Sequence, residues 1–254
     1  MTNAALATII TGGGRGIGRS ITLRMARDGP VIPVGRTPDD LDVVCRDVLN
    51  TGGVAVPCAG DVCDPDSAGR AVALAQGHGW VVRNLVCNAG VGKGGPTEAF
   101  DLAVWRQIFD INVHGSFYFV RACLPTMLEQ GRGAICLMSS LAGVKGVAYD
   151  AAYTSAKHAL VGLARSLALE FGKRGIVAVP VCPGFVAGEM TDRTIRGIMR
   201  RQGLSEADAT KKVAGASPQR RILPPEEVAE AVALICSGAV PSLSGQPLIL
   251  GGGT

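Results

Sequence analysis

The sequence predicts a doubly wound α/β fold, a parallel sheet of about seven strands with helices on both faces. Three observations predict it. Short apolar runs alternate with stretches of helical periodicity along the chain, the pattern of linked βαβ units. The first apolar run, Ala5–Ile10, leads through a glycine-rich turn straight into a helix. The 254 residues include 35 glycines, with 47% hydrophobic and only 4% aromatic residues, a composition that fits a tightly wound α/β domain and not a disordered chain.

Taken in order, strands are expected at Ala5–Ile10, Val31–Val34, Val54–Cys58, Leu85–Cys87, Ala134–Met138, Val177–Cys182 and Leu248–Leu250. The first helix carries Ile21, Leu23, Met25 and Ala26 and stops at Gly29-Pro30. Further helices are expected over Leu41–Leu49, closed by Gly52-Gly53, and over Ala68–Gln76, Leu102–Leu128 and Ala151–Phe171. The last helix begins at Pro224-Pro225-Glu226-Glu227, a proline start. Right-handed crossovers then give one parallel sheet covered on both sides. Pro33 conflicts with its strand, because an interior position should donate to the ladder; it predicts a short or bulged strand there. No repeat or linker interrupts the pattern, so residues 1–254 are expected to form one domain.

A net charge of +4 without a long basic block gives no indication of nucleic-acid binding. No apolar run is long enough to cross a membrane, and the N-terminus has no signal-peptide pattern, so a cytoplasmic protein is expected. None of the eight cysteines forms a C-x-x-C pair; they read as small buried hydrophobes in a reducing compartment. The three histidines lack ligand spacing and read as structural, and no metal is expected.

The turn after the first strand reads T-G-x-x-x-G-x-G on Thr11, Gly12, Gly16 and Gly18, with Gly14, Arg15 and Ile17 between them. A strand, a glycine turn and a helix N-terminus present backbone N–H groups to an anion, which points to a dinucleotide. An acidic residue at the end of the second strand would read a ribose 2′-hydroxyl. Gly35-Arg36-Thr37 stands there instead, and Arg36 with Arg15 can bind a 2′-phosphate through charge-assisted hydrogen bonds. NADP(H) is therefore the preferred cofactor, with NAD(H) possible.

Tyr153 and Lys157 lie one helical turn apart and share a face. A cation about 4 Å from a phenol at an effective dielectric of about 20 contributes roughly 4 kcal/mol, or about three pKa units. On that reasoning Lys157 is expected to bring the Tyr153 phenol down from its ordinary value, near 10, into the range of general acid–base catalysis.

Together the Thr11–Gly18 turn, Asp61-Val62, Asn88-Ala89-Gly90, Asn112, Ser140, Tyr153-x-x-x-Lys157 and Pro183-Gly184 resemble the short-chain dehydrogenase/reductase family over essentially the whole chain. The resemblance implies a Rossmann-like NADP(H)-binding catalytic domain. It implies that Tyr153 gives its proton to a carbonyl oxygen as hydride arrives, and that Ser140, thirteen residues earlier, bonds the same oxygen. Lys157 would bond the nicotinamide ribose, and Asn112 would hold a water that links the lysine to solvent. Asp61 and Val62 would flank the adenine, while Asn88, Ala89, Gly90, Pro183, Gly184 and Val186 would line the cofactor. Ser139 competes with Ser140; the interval favours Ser140.

Two departures stand out. Where the family often has a threonine that bonds the nicotinamide amide, this chain has Gly188, leaving backbone groups or Thr191. The terminal Gly251-Gly252-Gly253 lacks an aspartate often found before it. By resemblance, residues 188–215 form a substrate lid, carrying Arg193, Arg196, Arg200, Arg201, Lys211 and Lys212. The passages Gly92-Lys93-Gly94-Gly95-Pro96 with Trp105, and Lys145-Gly146-Val147, look similar to bacterial ketoreductases acting on thioesters. The expected substrate is a 3-oxoacyl group on coenzyme A or a carrier protein. The alternatives are a secondary alcohol, cyclic ketone or steroid, and a non-catalytic dinucleotide sensor. Family members commonly assemble as tetramers through the helices at Leu102–Leu128 and Ala151–Phe171, so a homotetramer is expected.

Overall fold

The structure, a computed structural model, describes residues 4–252; Gly253 lies outside them. Its centre is a seven-stranded parallel sheet in the order β3-β2-β1-β4-β5-β6-β7. The strands are β1 (Leu6–Thr11), β2 (Val31–Gly35), β3 (Cys58–Ala59), β4 (Val81–Cys87), β5 (Gly133–Met138), β6 (Ile176–Pro183) and β7 (Leu248–Leu250). The helices are α1 (Gly16–Met25), α2 (Pro38–Asn50), α3 (Pro65–Gly77), α4 (Leu102–Phe109), α5 (Gly115–Glu129), α6 (Ala151–Phe171), α7 (Glu189–Gln202), α8 (Glu206–Ala214) and α9 (Pro225–Ser237).

Successive strand residues point to opposite faces, so the sheet builds two cores. Ile9, Ile32, Leu85 and Leu137 meet Phe119, Leu160 and the small residues of α3 on one face. Ile10, Val86, Cys136 and Val181 meet Ile21, Val44 and Val232 on the other. Seven of the eight cysteines are buried and none is bridged; Cys63 is exposed and departs from the expected role.

The third strand is shorter than expected. Val54–Val56 runs beside Val31, exchanging backbone bonds with it, but Pro57 breaks the run and only Cys58–Ala59 joins the ladder. This resolves the conflict at Pro33. The N–H of Val31 faces Val54 and the carbonyl of Gly35 faces Gly60, so Pro33, at the same parity, turns its missing donor toward the interrupted strand. Pairing with β1 through Pro33 stays in register, without a bulge.

The helix expected over Leu102–Leu128 is three segments. A five-residue π-helical stretch, Asp110–His114, joins α4 to α5. Such stretches widen the turn and re-aim one side chain inward, and here that side chain is Asn112. No helix of the described residues is long and apolar enough to cross a membrane.

Candidate active site

The motifs converge at the carboxyl ends of β1, β4, β5 and β6, where an open parallel sheet places its ligand. Gly12 and Gly16 adopt φ of +64° and +53°, in the left-handed region, and turn the chain from β1 into α1. Added side chains would close the turn: a Cβ at Gly12 would lie 3.0 Å from Asn88 Nδ2, and one at Gly14 would lie 3.0 Å from Asp40 Cβ. Gly18 packs against the carbonyl of Gly12, and Arg15 and Ile17 stand at the mouth of α1.

Thr11 is buried behind this turn. Its Oγ1 accepts the N–H groups of Asn88 at 2.9 Å and Ala89 at 3.0 Å, and Asn88 Nδ2 donates to the carbonyls of Thr11 and Gly12. Thr11 and Asn88 thus fasten the glycine turn to the end of β4. Arg36 and Thr37, just past β2, are exposed, and Arg36 has no ion pair among the described residues. Asp61 accepts from the Cys63 N–H at 3.0 Å, which fixes the corner where buried Val62 packs against Gly115.

Four side chains meet at the centre. Lys157 Nζ lies 5.4 Å from the centroid of the Tyr153 ring and donates to the Met138 carbonyl at 2.7 Å. Asn112 donates to the carbonyls of Val91 at 2.9 Å and Ile108 at 2.7 Å, while its Oδ1 is buried without a partner. A Cβ at Gly90 would sit 2.7 Å from that Oδ1 and 3.2 Å from Lys157 Nζ, and a Cβ at Gly92 would sit 3.0 Å from the Tyr153 ring. Only glycine leaves this floor open.

The two serines divide as spacing suggests. Ser139 is buried and donates to the Lys157 carbonyl at 2.9 Å, tying β5 to α6. Ser140 caps a short 3-10 turn and faces the Tyr153 phenol. Ser140→Ala is expected to lower kcat by about tenfold or more with little change in Tm. Ser139→Ala, which removes a buried hydroxyl's bond to a carbonyl that keeps its helical partner, is expected to lower stability by about 1 kcal/mol. Parallel steady-state and melting measurements on the two variants check the division.

The electrostatics correct one expectation. Crowding by protein pushes the phenol of Tyr153 up to about 12, Ser140 pulls it back, and Asp150 adds to the rise. Lys157 does not bring it down here: its Nζ lies beside the ring and its nearest partner is the Met138 carbonyl. Burial also lowers Lys157 itself, to about 8. At neutral pH the phenol therefore holds its proton, the form a proton donor needs.

Past β6, Gly184 lies close to Leu141, and Val186 bridges to Leu223. Gly188 has φ of +138°, a conformation threonine adopts only under strain. Thr191 is buried, and its Oγ1 donates to the Val186 carbonyl at 2.5 Å, so its proton serves the loop. Among the described residues no cluster of His, Cys, Asp or Glu could hold a metal ion.

The groups present fit a dinucleotide: a glycine turn opening a helix, an exposed cation past β2, a floor of glycines and an unpartnered buried acceptor on Asn112. Sequence reasoning missed the π-helical stretch that aims Asn112, because its polarity pattern differs little from that of an α-helix.

Comparisons with known proteins agree. The short chain dehydrogenase family matches residues 6–197. The chain is 32% identical to 2-(S)-hydroxypropyl-CoM dehydrogenase 3 of Xanthobacter autotrophicus, covering 96% of this chain and 94% of that protein. It is 30% identical to cis-4-hydroxycyclohexanecarboxylate dehydrogenase of Sinomonas cyclohexanicum, covering 98% and 96%. A variant of actinorhodin polyketide ketoreductase, solved with NADPH, superposes with a TM-score of 0.93 at 29% identity, covering 98% of this chain and 97% of that one. With its seven-stranded sheet and the Ser140, Tyr153 and Lys157 cluster, this chain belongs to the short-chain dehydrogenase family, whose members are oxidoreductases of alcohol and carbonyl groups.

Proposed function

We propose that the protein is an NADP(H)-dependent reductase of a 3-oxoacyl group carried as a thioester on coenzyme A or a carrier protein. The observation that carries this reading is the basic face of α7. Arg196, Arg200 and Arg201 are exposed without ion pairs among the described residues, beside a rim that includes half-exposed Phe185 and Met190. Cations suit the phosphates of a thioester carrier, and an apolar rim suits its acyl chain. The likeness to a polyketide ketoreductase supports the same reading.

In this reading the nicotinamide, when bound, supplies hydride to the keto carbon. Tyr153 donates its proton to the carbonyl oxygen; the developing alkoxide is a far stronger base than a phenolate, so a phenol near 12 still transfers its proton downhill. Ser140 donates to the same oxygen and holds it in place. Lys157 lies beside the ring, and the unpartnered Oδ1 of Asn112 would hold a water that links the lysine to solvent for proton return. Thr11, Gly12, Gly14, Arg15, Gly16, Ile17, Gly18, Asn88, Ala89, Gly90, Pro183, Gly184 and Val186 would line the dinucleotide, and Asp61 and Val62 would flank the adenine. Residues 188–215 serve as the lid of a single catalytic domain.

Turnover of acetoacetyl-CoA and a longer 3-oxoacyl-CoA with NADPH tests the proposal; reaction with simple ketones or sugars alone overturns the thioester. A second reading, a secondary or cyclic alcohol dehydrogenase, draws on the two curated relatives and on the exposed Val147 and Tyr149 at the rim.

Arg36 and Arg15 are proposed to read the 2′-phosphate. Arg36→Leu should raise the KM for NADPH by about ten- to a hundredfold, the worth of one charge-assisted bond, and leave the KM for NADH within about twofold. Equal effects on both cofactors would remove Arg36 from this role. Assembly as a homotetramer is supported by Leu102, Phe117 and Leu169, which are 68%, 48% and 88% exposed on the helices expected to pair. Light scattering that gives a monomer would remove it.

A further inference from the structure

At the opposite end of the sheet from Tyr153, where β1 and β4 begin and α1 and α9 end, lies a cavity of about 480 Å³. The parallel ladder is irregular at its wall. Ala7 pairs with Val82, but Thr8 pairs with Asn84, so Arg83 is an extra residue in β4. Bulges re-aim side chains, and this one sets Arg83 and Asn84 side by side on the cavity.

Both carry unused bonding capacity. Asn84 is 7% exposed; its Nδ2 donates to Thr8 Oγ1 at 3.2 Å, while its Oδ1 is buried with no partner. A buried acceptor left bare costs free energy that a bound donor would recover. Arg83 is half-buried, and its one protein acceptor is the Ser237 carbonyl at 3.5 Å. No carboxylate pairs with it among the described residues, although burial and the nearby Arg132 both weigh against its charge. The neighbouring guanidinium has its charge paired twice: Arg24 holds Asp28 at 2.7 Å and Glu230 at 2.8 Å. Among the described residues the cavity therefore has one free cation, one free acceptor and, at Leu6 and Leu234, an aliphatic wall. A single water would answer Asn84 but leave Arg83 and most of the volume without a role.

We propose that this cavity is a second small-molecule site, separate from the catalytic one, for an aliphatic α-amino or α-hydroxy acid. Arg83 takes the carboxylate, Asn84 Oδ1 accepts from the ligand's N–H or O–H, and Leu6 and Leu234 cover its side chain. The volume lies within the range of small-ligand pockets.

Calorimetric titration of L-leucine and, separately, L-2-hydroxyisocaproate into the NADPH-loaded protein tests this. At least one probe should bind about once per chain with Kd of about 1 mM or tighter. Binding of leucine alone makes the ligand's donor an ammonium, and binding of the hydroxy acid alone makes it a hydroxyl. Arg83→Met and Asn84→Leu should each weaken binding by about tenfold or more, while ketone reduction without probe stays unchanged. If Asn84→Leu fails to fold, Arg83→Met decides alone. The proposal is overturned if neither probe binds, if Arg83→Met leaves the affinity intact, or if a saturating carbonyl substrate displaces the probe.

Discussion

Tyr153→Phe is expected to lower kcat for carbonyl reduction by about two to four orders of magnitude, the range a positioned general acid contributes. KM for the cofactor should change little. The substitution removes one hydroxyl from a residue that is still half-open to solvent, so the melting temperature should hold within a few degrees. The size of the effect follows from the site's economy of acids. Ser140 can hold the carbonyl oxygen, but its hydroxyl is a poor proton source, and Lys157 Nζ is directed at Met138. With the phenol gone, the proton must come from water. A Phe variant that reduces ketones at the parent rate would show that water or Ser140 supplies the proton and would remove the acid role assigned here.

Much of this arrangement was legible in the sequence, for a physical reason. Glycines at 12 and 16 and the Tyr-x-x-x-Lys spacing are local: a backbone angle or one helical turn determines what each can do, and α6 runs over Ala151–Phe171 as read. What was not legible depends on contacts distant in sequence. The phenol's rise to about 12 reflects protein packed around it, whereas spacing alone gives only the nearby cation. Lys157 turns to Met138, nineteen residues away and across the sheet, and no helical pattern encodes that choice. The third strand ended early because Pro57 and Pro33 both lack donors on the same ladder, a pairing visible only once register is known. The bulge at Arg83 left no mark in an alternation that still reads as a strand.

Lys157 carries the second large effect, and it separates catalysis from stability. Lys157→Met is expected to lower kcat by about a hundredfold or more, in the range a positioned group in a proton-transfer path contributes. Stability should move the other way or hardly at all near neutral pH. The ammonium is buried, with its pKa lowered from 10.5 to about 8, so the unfolded chain binds the proton more tightly than the folded one. Folding stability from this group therefore rises as pH climbs from about 8 to about 10.5, and below pH 8 the full burden of burying the charge, about 3 kcal/mol, is present. Methionine removes that burden and leaves the Met138 carbonyl without its donor, a cost of about 1–3 kcal/mol that offsets most of the gain. If the charge on Lys157 serves the reaction, wild-type reduction should fall as pH rises through about 8 while the melting temperature does not, because that same charge burdens the fold. A pH–rate profile flat from pH 7 to about 9, or a Met variant that melts far below the parent, would make Lys157 a structural residue and not part of the proton path.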